Sequence, residues 1–440
     1  MSTNSSPSGG PSSRVAPLAA LRYRDFRLLW LGTLVATIGA QMRIVAVNWH
    51  VYDLARSGGG IDPALALGLI GLARVLALVL VAPISGLIAD RADRRQVLIV
   101  TSIASMLSSA GLGAASSFGE PSVWQIYAMV IAAAVAGAFE MPARQALVPR
   151  LVPASYLSIA LSTNIIAWQL ATVVGPSAAG LLIAGLGVAP VYWIDAASYL
   201  AVVVAAALMG RYDVAGSTRR AGLGDALEGL RFVFRHRLIA STMLLDFFAT
   251  FFGAATTLMP LFADQVLGVG PVELGWMYSA PAVGAVIAAA VLSLVTFRRQ
   301  GALLLVAVGL FGVSIAVFGA SRWLPLTLLA LAGSGAADTV SMVIRGTIRQ
   351  LLTPDELRGR MVAVNMVFFA GGPQLGEFYT GVLASIIGAP VAVLIGGTIC
   401  VLVVLGTAAR VPELRAYDGP GSPVPEGAER APAPSGQPSG

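Results

Sequence analysis

Long apolar runs separated by short polar stretches dominate the chain. A helical run of about 20 apolar residues matches the roughly 30 Å hydrocarbon core of a bilayer. The pattern therefore predicts an all-α membrane protein with twelve transmembrane helices. The predicted spans are Leu28–Val51, Leu65–Ala89, Val97–Ser116, Val123–Glu140, Ile159–Gly185, Ala189–Met209, Leu238–Phe262, Val272–Thr296, Leu303–Ala320, Leu324–Ile344, Val362–Ile387 and Val391–Ala409.

A polar stretch divides these spans into two groups of six. Both termini are rich in Ser, Pro and Gly, a composition typical of disordered segments. The predicted units are residues 1–27, a disordered cytoplasmic N-terminus; 28–209, an N-terminal six-helix bundle; 210–237, a cytoplasmic linker; 238–410, a C-terminal six-helix bundle; and 411–440, a disordered cytoplasmic tail. Apolar residues in Leu223–Phe234 follow helical spacing. This linker segment either lies on the inner membrane surface or packs beneath a bundle.

One stretch, Phe139–Leu182, recurs in the second half at a constant offset of 201 residues. The identical pairs are Met141/Met342, Arg144/Arg345, Leu151/Leu352, Pro153/Pro354, Asn164/Asn365, Gly175/Gly376, Gly180/Gly381 and Leu182/Leu383. The constant register matters more than the number of identities, because Ala, Leu and Val coincide easily in so apolar a chain. The repeat predicts two pseudo-symmetric bundles that point the same way through the membrane.

The charged residues indicate an orientation. They make up only 11% of the chain, and all 28 cationic residues are arginines. If the N-terminus is cytoplasmic, 24 of the 28 arginines lie on the cytoplasmic side. The positive-inside rule then predicts a protein of the cell membrane with both termini in the cytoplasm. Inner loops beside anionic lipid account for the net charge of +6 without a nucleic-acid partner.

The sequence gives little support to enzymatic chemistry. Two histidines and the single cysteine, Cys400, are far apart, so neither a metal site nor an internal disulfide is expected. The chain has no Gly-Lys-Ser/Thr phosphate-binding loop, which argues against an ATP-driven pump. We expect a protein that is not an enzyme and needs no cofactor.

Ionisable side chains inside the spans are the main candidates for function. Each costs about 2.5–3.5 kcal/mol at the centre of a helix, so each needs a partner or a water-filled cavity. The predicted proton and substrate relay consists of Arg43, Glu140, Asp246, Asp338 and Glu377. Arg43 is the deepest cation, and we expect it to pair with Asp338, Glu377 or Asp246. Asp338 and Glu377 are the main candidates for proton binding, because burial favours a protonated carboxyl.

Three further ions have simpler interpretations. Glu140 precedes Arg144 by one helical turn, so an intrahelical brace is favoured there over a proton site. Arg74 and Asp195 lie near the outer ends of their spans and fit ordinary interface residues.

Amides form a second group of candidates. Asn164 and Asn365 are related by the repeat and lie near the inner ends of their spans, where they either cross-link helices or contact substrate. Gln169 and Gln374 lie deeper in the same two spans and are candidates for lining a cavity for an amphipathic ligand.

The loop after the second span carries a family signature. Its sequence, GLIADRADRR, resembles the motif G-x-L-a-D-r-x-G-r-K/R of the major facilitator superfamily. The matching residues are Gly86, Asp90, Arg91, Arg94 and Arg95. Ile88 and Asp93 depart from the motif. In that family the acid and the basic residues clasp neighbouring helices and hold the outward-facing state, so the resemblance implies a gate. The alternative is that the three arginines only set the topology.

The fifth span carries another signature. Gly175-Pro176-Ser177-Ala178-Ala179-Gly180 is similar to the G-P-x-x-G-G motif of drug/proton antiporters, with Ala179 in place of a glycine. Proline removes a backbone hydrogen bond and small residues let helices approach, so a kinked and closely packed helix is expected even without the family.

Segments in both halves resemble the enterobactin-exporter and macrolide-efflux branch of that superfamily. They are Tyr23–Trp30, Pro142–Ala146 and Thr353–Arg360. The resemblance implies alternating-access export of an amphipathic small molecule, such as a drug, macrolide or siderophore, by proton antiport. A proton-coupled uptake symporter and a non-transporting membrane sensor or assembly protein are the alternatives. The expected partners are the substrate, protons and lipid, and a monomer is expected to suffice.

Overall fold

The computed structural model describes residues 18–58, 60–91, 93–210, 223–295, 299–354 and 357–419, and these residues form helices and connecting turns without strands. The first half contains α1 (Arg24–Arg56), α2 (Pro63–Arg91), α3 (Arg94–Phe118), α4 (Val123–Leu151), α5 (Leu157–Leu186) and α6 (Ala189–Leu208). The second half contains α7 (Arg237–Phe252), α8 (Pro271–Leu294), α9 (Gln300–Ala320), α10 (Leu324–Leu352), α11 (Arg358–Ile387) and α12 (Ala389–Arg410).

These helices confirm the predicted all-α membrane fold. Eleven segments of the described chain are long and apolar enough to cross a membrane. The thirty-residue α11, eleventh in chain order, is not among these eleven segments and completes the set of twelve helices. The arginines cluster at one end of the bundle, and the two ends are therefore called the arginine-rich and the arginine-poor face.

Prolines and a capping box begin the helices that enter from the arginine-poor face. Proline is the first residue of α2 and α8 and lies within the first two positions of α6, α10 and α12. Proline fits the first helical turn because its missing N–H has no acceptor there. At the start of α4, the Ser122 side chain accepts from Gln125 N, and the Gln125 side chain accepts from Ser122 N. These residues limit where each span can start.

The repeat is preserved in three dimensions. Helices α4 and α10 both have 29 residues and start 201 positions apart. Helices α5 and α11 both have 30 residues with the same displacement. Helices α5 and α11 end before Gly187 (φ 80°) and Gly388 (φ 86°). The backbone at both positions is left-handed, a conformation that favours glycine. The duplication therefore covers helix length and C-terminal geometry as well as residue identity.

Helix α7 is less regular than its apolar run predicts. The α-helix ends at Phe252, and the chain continues through a 3-10 turn (Thr256–Leu258) and a π turn (Phe262–Val266). Pro260 in this segment cannot donate a backbone hydrogen bond. A π turn widens the helix locally, and such turns often occur at functional sites. This one carries Asp264 at the arginine-poor face.

Each half packs as its own bundle. Helix α6 packs on α1 and α3 in the first half, and α12 packs on α9 in the second. Near the arginine-rich face, the first bundle has a core that includes Phe26, Leu147 and Val202, and the second has a core that includes Leu245 and Leu304. In the described chain, each of these two cores is confined to one bundle.

The bundles meet at two glycine crossings near the arginine-poor face. Helix α2 crosses α11 where Gly68 lies against Gly381, and α5 crosses α8 where Gly180 lies against Gly275. A Cβ on Gly180 would lie 3.1 Å from the Cα of Gly275. Gly175 instead packs within its own bundle, against Gln41 of α1. The motif in the fifth span therefore serves close packing, as expected, with one glycine on each side of Pro176.

The linker helix, Leu223–Arg235, packs beneath the C-terminal bundle on α11 and α7. Val233 is buried, and Glu228 lies 2.7 Å from Arg360. Leu230 and Phe234 point away from this contact and are 36% and 52% exposed. The first face of the helix fits the predicted packing beneath a bundle, and the second leaves an apolar strip at the arginine-rich face.

Both ordered ends extend beyond the predicted boundaries. Helix α1 begins at Arg24, and Phe26 is buried although it falls in the segment predicted to be disordered. At the other end, Pro412–Ala416 forms a short helix whose Leu414 is fully buried, and Glu413 lies 2.8 Å from Arg237. These apolar anchors explain the order. Residues 1–17, 211–222 and 420–440 lie outside the described chain.

The glycine crossings predict a conformational effect of Gly180→Val. The new side chain cannot fit beside Gly275 while the arginine-poor face is closed, so we expect the two bundles to separate there. Spin labels at Glu120 and Arg322, on opposite bundles of this face, should report a longer distance. Gly185→Val on the same helix is the matched control, because a Cβ there meets nothing within 4 Å. Equal distances in the two variants would contradict this role of the crossing.

Candidate functional site

Arg43, the deepest cation, forms an ion pair inside the N-terminal bundle. Its Nε lies 2.7 Å from Asp195 Oδ2 on α6, and Asp195 is fully buried. Ser109 of α3 donates to the same carboxylate oxygen at 2.5 Å, and Arg43 Nη2 donates to the Tyr199 hydroxyl at 3.5 Å. The Arg43 guanidinium and the Ser109 hydroxyl compensate the Asp195 carboxylate for the loss of its hydration.

The predicted partners of Arg43 are therefore wrong. Helix α1 packs along α6, which brings Asp195 beside Arg43, whereas Asp246, Asp338 and Glu377 belong to the other bundle. A usable signal was present in α6, where Tyr192, Asp195 and Tyr199 follow helical spacing, and in α3, where Ser102, Ser105 and Ser109 do the same. Two polar stripes on neighbouring helices indicate a buried polar layer rather than an interface with lipid.

A second ion pair joins the two bundles. Arg74 Nη1 on α2 lies 3.5 Å from Glu377 Oε2 on α11, and Glu377 is 8% exposed. Gly71 allows this approach, since a Cβ there would lie 2.8 Å from the Cβ of Glu377. Arg74 is thus the partner of a predicted proton-binding acid and not an ordinary interface residue.

A third cluster lies in the C-terminal bundle. Arg345 of α10 pairs with Asp246 of α7 and also lies 3.5 Å from Asp338, two turns earlier on its own helix. The side chains of Arg345 and Asp246 are 4% and 8% exposed, whereas that of Asp338 is 48% exposed. The structure brings these two predicted acids together around one arginine and leaves Asp338 as the accessible one.

Glu140 contacts one arginine and lies within electrostatic range of a second. It is 3.7 Å from Arg144 of the next helical turn, as the brace interpretation expects. It also lies close enough to Arg43 and Asp195 to interact with them electrostatically. Glu140 therefore connects the brace to the buried pair.

The basic residues of the signature loop hold helix ends within the N-terminal bundle. Arg94 Nη1 donates to the Ala146 carbonyl of α4 at 3.1 Å, and Arg95 Nε donates to the Ala206 carbonyl of α6 at 2.6 Å. Asp93, a departure from the family motif, caps α3 by accepting from Arg95 N at 2.9 Å. The side chains of Gly86, Asp90 and Arg91 lie outside the described residues.

The predicted amides take separate positions. Asn365 accepts a hydrogen bond from Arg349 and so links α11 to α10. Asn164 and Gln169 are partly exposed on α5. The Gln374 Oε1 atom is buried and accepts no hydrogen bond from the described chain. Of the four predicted amides, Gln374 is the one that lies one helical turn from Glu377, on the same helix.

Polar contacts between the bundles close the arginine-poor face. Asp264 Oδ2 in the π turn accepts hydrogen bonds from the Tyr52 hydroxyl and from Arg56 Nη1, both at 2.5 Å. Asn48 Nδ2 donates to the Tyr278 hydroxyl at 2.7 Å. Of this set, the sequence indicates Asn48 as a polar candidate within the first span, but it does not indicate the tyrosines or Asp264, because tyrosines and loop-proximal acids are common at membrane interfaces.

The contacts above define the face that is shut. Ser177 of α5 and Ser279 of α8 lie 2.9 Å apart, also near that face. Polar bonds there therefore join three pairs of elements: α1 with the π turn, α1 with α8, and α5 with α8. The described residues hold no group of three or more His, Cys, Asp or Glu side chains placed to bind a metal ion. The geometry is that of a two-bundle protein closed on one side, with ion pairs in its interior.

Comparison with known proteins decides the family. The sequence model of the transmembrane secretion effector family matches residues 15–428. The chain belongs to this family of the major facilitator superfamily. The resemblance noted in the signature loop is thereby confirmed, and the relatives of this transporter are not enzymes.

Two relatives illustrate the family's members. The multidrug efflux pump Tap of Mycolicibacterium fortuitum is 30% identical over 379 residues, which covers 82% of this chain and 89% of the pump. The enterobactin exporter EntS of Citrobacter koseri is 26% identical over 405 residues, covering 92% and 95%. This transmembrane secretion effector protein is therefore a transporter whose relatives include efflux pumps and exporters.

Solved structures agree on the fold. A POT family transporter in complex with 5-aminolevulinic acid superposes with a TM-score of 0.70 at 10% identity, covering 89% of this chain and 96% of that one. A bacterial homolog of the human lysosomal transporter Spinster, in an inward-facing and unoccupied conformation, gives 0.68 at 15% identity, with 88% and 96% covered. At these identities the likeness concerns the major facilitator fold alone.

The two acids around Arg345 should differ in their effect on stability. Asp246→Asn leaves a buried guanidinium without its main partner, which costs about 3–5 kcal/mol. Asp338→Asn removes an accessible partner, which costs about 1 kcal/mol or less. Thermal unfolding in detergent, followed by tryptophan fluorescence, measures the difference. A loss of stability as large for Asp338→Asn as for Asp246→Asn would contradict the assignment of Asp246 as the main partner.

Proposed function

We propose that this transporter exports an amphipathic small molecule, of the drug, macrolide or siderophore type, in exchange for protons. Its relatives by sequence include a multidrug efflux pump and an enterobactin exporter. The proton gradient is the energy source and no cofactor takes part. A single chain contains both bundles and suffices as the transporting unit, with the bilayer as its solvent.

The ion pair between Arg74 and Glu377 carries the proposal. It connects the two bundles beside a glycine crossing, so it is formed only while α2 and α11 are in this relative position. Protonation of Glu377 removes its attraction to Arg74. This loss destabilises the closed conformation more than a conformation in which the two residues are apart. A ligand can shift a conformational equilibrium only through such differential stabilisation of two states. A proton at Glu377 meets this requirement.

The direction of transport follows from the orientation. With the arginine-rich face in the cytoplasm of the cell membrane, the closed face is the outer one. The structure then corresponds to a state that loads substrate from the cytoplasm. The opposite state requires Asp264 to release Tyr52 and Arg56, and Tyr278 to release Asn48. Both termini are cytoplasmic in this orientation.

The signature loop is the proposed gate at the cytoplasmic face. Asp90 and Arg91 follow the family motif, and Arg94 and Arg95 already hold the ends of α4 and α6. When the cytoplasmic face closes, the Asp90 carboxylate gains a basic partner there, and charge-assisted hydrogen bonds hold that state. Gly86 belongs to the same motif and is part of the proposed gate.

The proposed relay consists of Arg43, Glu140, Asp246, Asp338 and Glu377, with Arg74 as the partner of Glu377. Among the amides, Gln374 offers a carbonyl oxygen near Glu377 that has no donor among the described residues, and Asn164 and Gln169 are partly exposed on α5. A substrate that carries hydrogen-bond donors fits this combination. Asn365 instead supports α11 through Arg349.

Inverted membrane vesicles test the exchange. When the vesicle interior is acidified, added erythromycin, tetracycline or enterobactin should enter in exchange for protons, and a pH-sensitive dye should report partial collapse of the gradient. Glu377→Gln should abolish this collapse, because an amide cannot carry the proton. Glu120→Gln, an exposed site, is the control and should behave as the wild type.

Two results would overturn this function. If none of the three compounds affects the gradient beyond the level in vesicles without the transporter, proton antiport is wrong. If compounds trapped inside the vesicles leave together with protons, the protein is an uptake symporter. A wild-type response in Glu377→Gln would remove this residue from the mechanism.

A further inference from the structure

A line of buried polar groups runs through the N-terminal bundle, away from the contact between the bundles. It begins at Glu140 of α4, passes Arg43 and Asp195, and ends at Tyr192 of α6 and His50 of α1. Asp195 and Tyr192 are fully buried, and His50 is 7% exposed. His50 lies six positions before the end of α1 at the arginine-poor face, so the line extends from the middle of the bundle toward that face.

Asp195 has one occupied and one open oxygen. Its Oδ2 faces Arg43 Nε at 2.7 Å and Ser109 Oγ at 2.5 Å. Its Oδ1 is buried and has no hydrogen-bond partner in the described chain. That oxygen lies beside the backbone of α1 at Gly39, where an added Cβ would be 2.9 Å away. A buried carboxylate oxygen without a donor is destabilised unless it binds a proton or a donor.

The surroundings of Asp195 supply few other charges. Facing it are Arg43 on α1, Glu140 on α4, Ser109 on α3, and Tyr192 and Tyr199 on its own helix. Arg43 is the only cation of this set, and Glu140 is the only other acid. Glu140 also has Arg144 at 3.7 Å, whereas Arg43 is the one cation that faces Asp195 among the described residues. Asp195 therefore depends on Arg43 more strongly than Glu140 does.

We propose that Asp195 is a second proton-binding site of the transporter, separate from Glu377 and loaded from the arginine-poor face. This inference rests on the proposed proton antiport and identifies a further residue for it. Asp195 Oδ1 accepts one proton and becomes neutral, and Arg43 then has Glu140 as its remaining carboxylate partner. Loss of the proton to the arginine-rich side returns Arg43 to Asp195. The net change is one O–H bond, formed at Asp195 Oδ1 on loading and broken on release.

The route to the arginine-poor face uses two side chains. His50 Nδ1 lies 3.2 Å from the Tyr192 hydroxyl. Tyr192 and Asp195 are three residues apart on α6, which places them on one helical face. His50 Nε2 takes up the incoming proton from the arginine-poor side, and His50 Nδ1 passes its own proton to the Tyr192 hydroxyl oxygen. That hydroxyl releases its proton toward Asp195, and the imidazole is left neutral. Tyr192 is unchanged after each transfer and acts as a positioning residue.

Helix α1 connects this site to the closed face. Arg43 lies on the same helix as Asn48, Tyr52 and Arg56, whose partners are on the other bundle. A change in the partner of Arg43 alters the forces on α1 within about four turns of those contacts. Protonation of Asp195 therefore biases the contacts that must break for the outer face to open.

Reconstituted liposomes test the site with erythromycin as the probe. The pH gradient that just balances a known erythromycin gradient gives the number of protons exchanged per molecule. Asp195→Asn should exchange one proton fewer than the wild type, and Asp195→Glu should restore it. An unchanged number in Asp195→Asn overturns the proposal. A wild type that shows no pH-driven transport overturns the proposed antiport instead.

A measurement without substrate separates these failures. Infrared spectra of the reconstituted protein, taken from neutral to acidic pH, record the protonated carboxyl band. The wild type should contain a component that Asp195→Asn lacks and Glu140→Gln keeps. If the spectra of the wild type and Asp195→Asn titrate identically, Asp195 does not bind a proton and the proposal fails.

Two further variants guard against misfolding and test the route. Asp195→Asn leaves Arg43 buried without its carboxylate, so the double variant Arg43→Gln/Asp195→Asn removes both charges together. It should show the same loss of one exchanged proton. Tyr192→Phe should lower the transport rate and leave the proton number unchanged. A wild-type rate in Tyr192→Phe overturns the assigned route.

Discussion

The requirement that every ion inside the bilayer has a partner governs this structure. Arg43 has Asp195, Arg74 has Glu377, and Arg345 has Asp246. One of these pairs belongs to each bundle and one bridges the two. Since an unpaired charge in hydrocarbon is costly, the pairs restrict which helices can be neighbours. A transporter that changes shape must also keep its ions compensated in each state, which is why an exchangeable proton is an effective regulator of such pairs.

Much of the fold was predictable because it follows from local patterns. Apolar runs identify the spans, and the 201-residue offset identifies the duplicated helices α4/α10 and α5/α11. Gly180 was recognised from its motif. Its contact with Gly275 was not, because a motif in one helix does not name the helix that crosses it. The irregular end of α7 was also missed, since its apolar residues hide the break that places Asp264 at the closed face.

In the candidate site, too, the sequence indicates individual residues but not the contacts between helices. The acids were recognised by type and depth, but their partners depend on the rotation of each helix about its axis, which apolar runs on both sides of a span do not reveal. The sequence therefore pairs Arg43 with acids of the wrong bundle and predicts interface positions for Arg74 and Asp195. Small residues were the missing clue: Gly39 lies beside Asp195, and Gly71 lies beside Glu377. A glycine opposite an acid marks the side on which the acid is accommodated.

The positions of the glycine crossings have a mechanical consequence. Gly68 lies five residues from the start of α2 and Gly381 six from the end of α11, so at 1.5 Å per residue the crossing is about 8 Å from one end and about 35 Å from the other. Rotation about a fixed axis there would move the ends at the arginine-rich face several times farther than the ends at the arginine-poor face. A wide opening at the arginine-poor face thus requires the point of contact between α2 and α11 to shift along both helices, from Gly68 and Gly381 toward Gly71 and Arg74.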